Sequence, residues 1–120
     1  MGMSNQQTGR VGEDIAAKYL TAHGYRVIAR NFKARYGELD IVAIKDKILV
    51  FVEVKTRLDS TYGTPEEAVT PRKLREIIKT SQYFKMKHPA LPEAMRVDVI
   101  AIQLASSGGF SVRHIENVTS

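Results

Sequence analysis

Apolar residues recur at helical spacing near the amino terminus. Val11, Ile15, Ala16, Tyr19 and Leu20 fall on one stripe, which predicts a helix over about 5–22. Gly12 lies on the same stripe, where a missing side chain permits close packing on a sheet. Ser4 followed three residues later by Gln7 reads as a capping box, and His23-Gly24 reads as the stop, with Gly24 just past the helix end. The pattern then changes to strands, over Tyr25–Arg30, Arg35–Lys45 and Lys47–Arg57. The short polar Lys45-Asp46-Lys47 makes the last two a hairpin. Leu58–Val69, with Gly63 and Pro65, reads as a loop. A second helix is expected over 71–87, with Thr70 as its cap and Pro71 at its first position. Its core face is Leu74, Ile77, Ile78, Ser81 and Phe84. Pro89 and Pro92 break the chain, and strands follow over Arg96–Leu104 and Phe110–Ile115 around a Ser106-Ser107-Gly108-Gly109 turn. Helix, three strands, helix, two strands predicts an α/β sandwich around a mixed sheet in a single domain.

The third strand is apolar from Ile48 to Val54 except for Glu53, and Lys55 follows two residues later on the same face. On the second strand Glu38 and Asp40 share a face. Counting outward from the turn, Asp40 lies five residues before Lys45 and Glu53 five after Ile48. If Lys45 faces Ile48, Asp40 lies directly opposite Glu53, with Cβ atoms ~4.5–5.5 Å apart. A slip of one residue would put the two acids on opposite faces. Two carboxylates that close repel one another and are costly to bury, and a divalent cation neutralises both. Oxygen ligands suit Mg²⁺ or Mn²⁺, which would activate a bound water against a phosphodiester. Lys55 would orient that water or stabilise the charge developing on phosphate. The plainer reading is a strand-end salt bridge of Glu53 with Lys55 or Arg57, with Asp40 solvated.

Composition narrows the chemistry. The 120 residues include no cysteine, which removes disulfides, thiolate nucleophiles and Cys-ligated zinc. His23, His88 and His114 lie far apart and make no zinc-spaced pair. The net charge of +5 favours acidic partners, nucleic acid above all. No apolar run is long enough for a membrane helix and the start lacks a signal pattern, so a cytoplasmic location and no membrane partner are expected.

The second helix concentrates the charge: Arg72, Lys73, Arg75, Lys79, Lys85 and Lys87 stand against one acid, Glu76. Cations in its first turn oppose the helix dipole, which makes sense if an anion docks there. Arg72 and Lys73 are thus candidates to contact phosphates flanking a cut, with Arg57, Arg75 and Lys79 extending the surface; an ordinary solvated face is the alternative. Glu13, at the rim of the first helix's apolar stripe, either reaches over the sheet to a metal or pairs with a nearby cation. Glu38 is expected in a supporting role, and Asp98 to pair with Arg96 or Arg57.

These residues resemble a family. Asp40…Glu53-Val54-Lys55 is similar to the signature of the PD-(D/E)xK nuclease superfamily. Nearly the whole chain more closely resembles the uncharacterised bacterial YraN-like family, itself similar to archaeal Holliday junction resolvases. The likeness is carried by Gly9-Arg10-x-Gly12-Glu13, Gly37-Glu38-x-Asp40, Phe51-Val52-Glu53-Val54-Lys55-Thr56-Arg57 and Arg96-Val97-Asp98-Val99. Leu39 stands where the superfamily name has proline. The resemblance implies a restriction-endonuclease-like fold, a mixed four- to five-stranded sheet flanked by helices. It implies a Mg²⁺ site from Asp40, Glu53 and the Val54 carbonyl, supported by Glu13, with Lys55 as the catalytic lysine. The implied activity is metal-dependent endonucleolytic cleavage of nucleic acid, in the first place branched or damaged DNA, with a homodimer suggested by analogy. The alternative is a non-catalytic nucleic-acid-binding module on the same fold.

Overall fold

Two capped helices frame the chain, and in both the first turn is fixed by local side chains. The structure is a computed structural model that describes residues 2–58 and 69–119. Helix α1 spans Asn5–Ala22. The Gln7 N–H donates to Ser4 Oγ at 3.1 Å, and the Ser4 N–H donates to Gln7 Oε1 at 2.8 Å, the expected reciprocal cap. Gly24, at φ +85°, ends the helix in a conformation that a side chain would disfavour. The buried line of α1 is Gly12, Glu13, Ala16 and Leu20. Val11, expected on that stripe, is instead exposed. It lies one residue, about 100°, off the Gly12–Ala16–Leu20 line that faces the sheet.

Strands β1 (Arg26–Ala34), β2 (Gly37–Lys45) and β3 (Ile48–Leu58) follow, then helix α2 (Pro71–Lys87), β4 (Ala94–Leu104) and β5 (Phe110–Ile115). They form one sheet in the order β1-β2-β3-β4-β5. Only the β3–β4 pair, joined through α2, is parallel. Several strand bounds differ from expectation. β1 continues four residues past Arg30, because Asn31 takes φ +54° and the strand bends there without ending. β2 begins at Gly37, since Arg35 and Tyr36 make the turn, and β4 begins at Ala94 rather than Arg96. The expected loop lies, beyond Leu58 and before Val69, outside the described residues.

The β2–β3 register is the predicted one, from Lys45↔Ile48 to Ile41↔Val52. Asp46 and Lys47 form the turn at φ +48° and +66°, the handedness of a type I′ hairpin. Ile41, Ala43, Val50, Val52, Ile100 and Ile102 pack under α1, while Val42, Leu49, Phe51 and Val97 pack under α2. The sheet is thus covered on both faces. Thr70 Oγ1 accepts the Lys73 N–H at 3.1 Å and starts α2. Phe84 meets Phe32 and Phe51 edge-on, at 5.0 and 6.0 Å between ring centres. Thr80 and Ser81, buried beside it, donate their hydroxyls back to the carbonyls of Glu76 and Ile77. Among the described residues, no helix is long and apolar enough to cross a membrane.

Candidate active site

The register of the hairpin determines which residues meet. The paired residues of β2 and β3 end at Ile41↔Val52, one step short of Asp40 and Glu53. The alternation of β2 slips here: Ile41 and Ala43 face α1, whereas both Leu39 and Val42 belong to the α2-side core. Asp40 sits at that irregularity. Its Oδ2 accepts the Val54 backbone N–H at 2.8 Å, bridging the two strands with a carboxylate. Burial pushes the Asp40 carboxyl up to about 7, and the adjacent Glu53 and the more distant Glu38 push the same way. The Val54 hydrogen bond opposes them. The Asp40 and Glu53 carboxyls lie close enough to interact, so the structure brings the two acids together, although the ladder of the hairpin stops one step short of them.

Glu53 is 5% exposed and is held on the α2 side. Its Oε2 lies 3.6 Å from Lys55 Nζ and 3.8 Å from Lys73 Nζ. These are ion pairs too long for strong hydrogen bonds. The strand-end pairing of Glu53 with Lys55 is therefore present, but Asp40 is not solvated away from it. Lys73 was foreseen as a phosphate contact near the site. The structure brings α2's first turn to the site and sets this ammonium on Glu53.

On the α1 side a cleft of about 440 Å³ is lined by Glu13, Asp40 and Val54, with Arg10, Asn31, Lys33 and Glu38 around them. Glu13 is buried. It accepts from Asn31 Nδ2 at 2.8 Å and from Arg30 Nε at 3.2 Å. Burial raises the Glu13 carboxyl above its ordinary range and the Asp40 charge adds to this, against Arg30 and Asn31. Of the two readings, the structure carries the cation pair with Arg30, and it sets Glu13 in the lining of the Asp40 cleft. Glu38 is exposed at the cleft rim.

Among the described residues no group of three or more His, Asp or Glu stands ready to enclose a metal ion. The residues still fit a hydrated Mg²⁺ or Mn²⁺. Such an ion keeps several waters and takes one or two protein carboxylates. Asp40 and Glu53 supply two, and Glu53 is among the groups that raise the Asp40 carboxyl. Glu13 is occupied by Arg30 and stands one step out.

The remaining cations spread outward. Arg72 is almost fully exposed and lies 3.7 Å from Glu76 one turn on. Arg75 and Lys79 are exposed. Arg57 is half-buried and donates from Nη1 to its neighbour's carbonyl at Thr56.

One polar cluster went unforeseen in its extent. Asp98, fully buried, takes two hydrogen bonds from Arg96 at 2.9 and 3.1 Å. It also contacts His114 Nε2 at 2.7 Å and accepts the Asn117 N–H at 2.9 Å. Arg96 reaches on to Tyr25 Oη at 2.7 Å. Burial pushes the Asp98 carboxyl up, but His114, Arg96 and Asn117 together hold it below its ordinary range. Of the two expected partners, Arg96 is the real one and Arg57 is not. His114 arrives from β5, a contact that spacing in the chain does not disclose.

The mixed five-stranded sheet with a helix on each face, and the acid-bearing hairpin at its centre, define a restriction-endonuclease-like α/β protein, the class of the PD-(D/E)xK nucleases. Residues 12–102 match the family described as "Uncharacterised protein family UPF0102", and the chain belongs to it. It is 44% identical over 113 residues to a UPF0102 protein of Syntrophomonas wolfei, covering 94% of this chain and 97% of that one. A UPF0102 protein of Pelobacter propionicus is 47% identical over 94% of this chain and 82% of its own length. One of Geobacter sulfurreducens is 48% identical over 94% and 88%.

Proposed function

We propose that the chain is a divalent-metal-dependent endonuclease that hydrolyses phosphodiester bonds, with DNA, branched or damaged, as the substrate. The observation that supports it best is the juxtaposition of Asp40 and Glu53 across the hairpin, with Lys55 on Glu53. In this reading Asp40, Glu53 and the Val54 carbonyl hold Mg²⁺ or Mn²⁺. When bound, the ion lowers the pKa of its water and draws charge off the phosphate. Lys55, beside Glu53, would turn its ammonium to the attacked phosphate, and Lys73 on the other side of Glu53 would add a second cation for the phosphate backbone. Glu13 adjusts the field at Asp40 through the cleft and is held there by Arg30 and Asn31.

The test is cleavage of a labelled four-way junction and a linear duplex in Mg²⁺ and in Mn²⁺. Asp40→Ala, Glu53→Ala and Lys55→Ala proteins with unchanged circular dichroism should each lose roughly a hundredfold or more in rate. Wild-type protein inert with both metals on both substrates refutes the proposal. The lack of a three-acid cluster among the described residues favours a second reading, a nucleic-acid-binding module without catalysis. It predicts the same absence of cleavage with binding retained in all three variants.

A further inference from the structure

The outer side of α2 and the turn beside it carry two tyrosines that the catalytic reading does not use. Tyr36, in the β1–β2 turn, is 49% exposed. Tyr83 lies across from it on α2, resting on Phe32 with 6.3 Å between ring centres. A shallow groove of about 400 Å³ runs between them, lined by Tyr36, Lys79, Gln82, Tyr83 and Met86. Cations border both rings: Lys79 Nζ lies 5.7 Å and Arg35 Cζ 6.0 Å from the Tyr36 centroid, and Lys87 Nζ 5.6 Å from that of Tyr83. These approaches are at the outer limit of a cation–π contact, so they are weak and easily displaced. Among the described residues the groove lining holds a lysine and no acid. The adjoining helix face adds Arg72 and Arg75, with Glu76 already engaged by Arg72.

We infer that this groove is a stacking platform for unpaired bases, and that the substrate class is nucleic acid with a single-stranded stretch beside the cleavage point. Exposed aromatic rings flanked by cations suit a single strand: rings take the π-faces of successive bases and cations follow the phosphates. A duplex offers no free base faces, so a duplex-only binder has no use for the tyrosines. Placement agrees. Lys73 touches Glu53 at one end of α2, and Lys79 and Tyr83 lie about 9 and 15 Å further along the helix. The groove thus begins within a few nucleotides of the acids along a strand. The inference rests on the nuclease reading for its substrate role, but the binding it asserts needs no catalysis.

Binding is therefore measured in EDTA, with fluorescently labelled oligothymidine, an abasic strand of equal length, and a duplex. The chain has five tyrosines and no tryptophan, so quenching of tyrosine emission reports stacking directly. Wild type should prefer oligothymidine to the abasic strand. Tyr36→Ala and Tyr83→Ala should each weaken oligothymidine binding roughly 5- to 100-fold and leave duplex and abasic binding within twofold. Tyr36→Phe should keep wild-type affinity, and because Tyr36 is in an exposed turn, its alanine variant tests the platform even if Tyr83→Ala loosens α2. Equal affinity for thymidine and abasic strands, or an equal loss on every ligand, overturns the platform. Selective stacking by a protein that cuts nothing in Mg²⁺ or Mn²⁺ would leave the platform standing and refute the nuclease; cleavage without base selectivity would do the reverse.

Discussion

Asp40 has the most consequential single environment. Its carboxyl is raised from 3.8 to about 7, chiefly by burial and then by Glu53, so the folded protein holds a proton there that the unfolded chain has lost. Between about pH 4 and pH 7 the native state binds more protons, and stability falls as pH rises through that window. Asp40→Asn keeps an oxygen for the Val54 N–H and removes the charge. It should raise stability at pH 8 by on the order of 1–3 kcal/mol, discounted for partial exposure, and leave pH 4 nearly unchanged. Thermal melts across that range check it, and a variant destabilised at pH 8 would contradict the assignment. Asp98 behaves oppositely. Its lowered carboxyl contributes stability above its unfolded value, lost as pH falls through the folded one. Asp98→Asn removes the buried charge that Arg96 and His114 contact, leaving Arg96 its exposed partner Glu116, and should cost roughly 1.5–3 kcal/mol in urea denaturation. Asp40 and Glu53 were legible because a tight turn fixes register by counting. The Asp98–His114 contact was not, since nothing local says that β5 returns beside β4.

Among the elements, α1 is set on β3 by an absent side chain. A Cβ built on Gly12 would lie 1.8 Å from Thr56 Oγ1 and 2.8 Å from Thr56 Cβ. Rotating the threonine does not relieve the second clash, so Gly12→Ala must push the helix off the strand. We expect a loss of about 1–3 kcal/mol and a shift of Glu13 relative to Asp40, visible as a lower melting temperature. For α2, the Arg72→Ala/Lys73→Ala double variant should bind DNA more weakly with a shallower dependence of log affinity on log salt. An unchanged slope would remove the first turn of α2 from the interface. Both helices were readable to the residue because their caps are side chains within three positions. Strand ends were less so: Asn31 has the composition of a break, yet the tertiary ladder carries β1 through it. That Lys73 ends on Glu53 depends on where a long connection delivers α2, which periodicity does not encode.

At the scale of the whole molecule, a net charge of +5 acts over distances longer than any contact and speeds encounter with polyanions, an effect that salt screens. A metal bound only by the folded protein adds stability by mass action, about 2.7 kcal/mol at a hundred times its dissociation constant. Mn²⁺ should therefore raise the melting temperature of wild type by several degrees, and that of Glu53→Gln little; equal shifts would place the ion elsewhere. The layered order of the fold followed from the succession of patterns along the chain. The two faces of the sheet did not, because β2 slips its alternation at Asp40, where a partly buried carboxylate departs from the strand period.

The bond from the Val54 amide to the Asp40 carboxylate makes one main-chain proton a reporter of what occupies the acids. In a ¹⁵N-labelled sample its resonance should move as Asp40 titrates and move differently as Mn²⁺'s diamagnetic counterpart Mg²⁺ is added. That signal would register metal at the hairpin with no nucleic acid present.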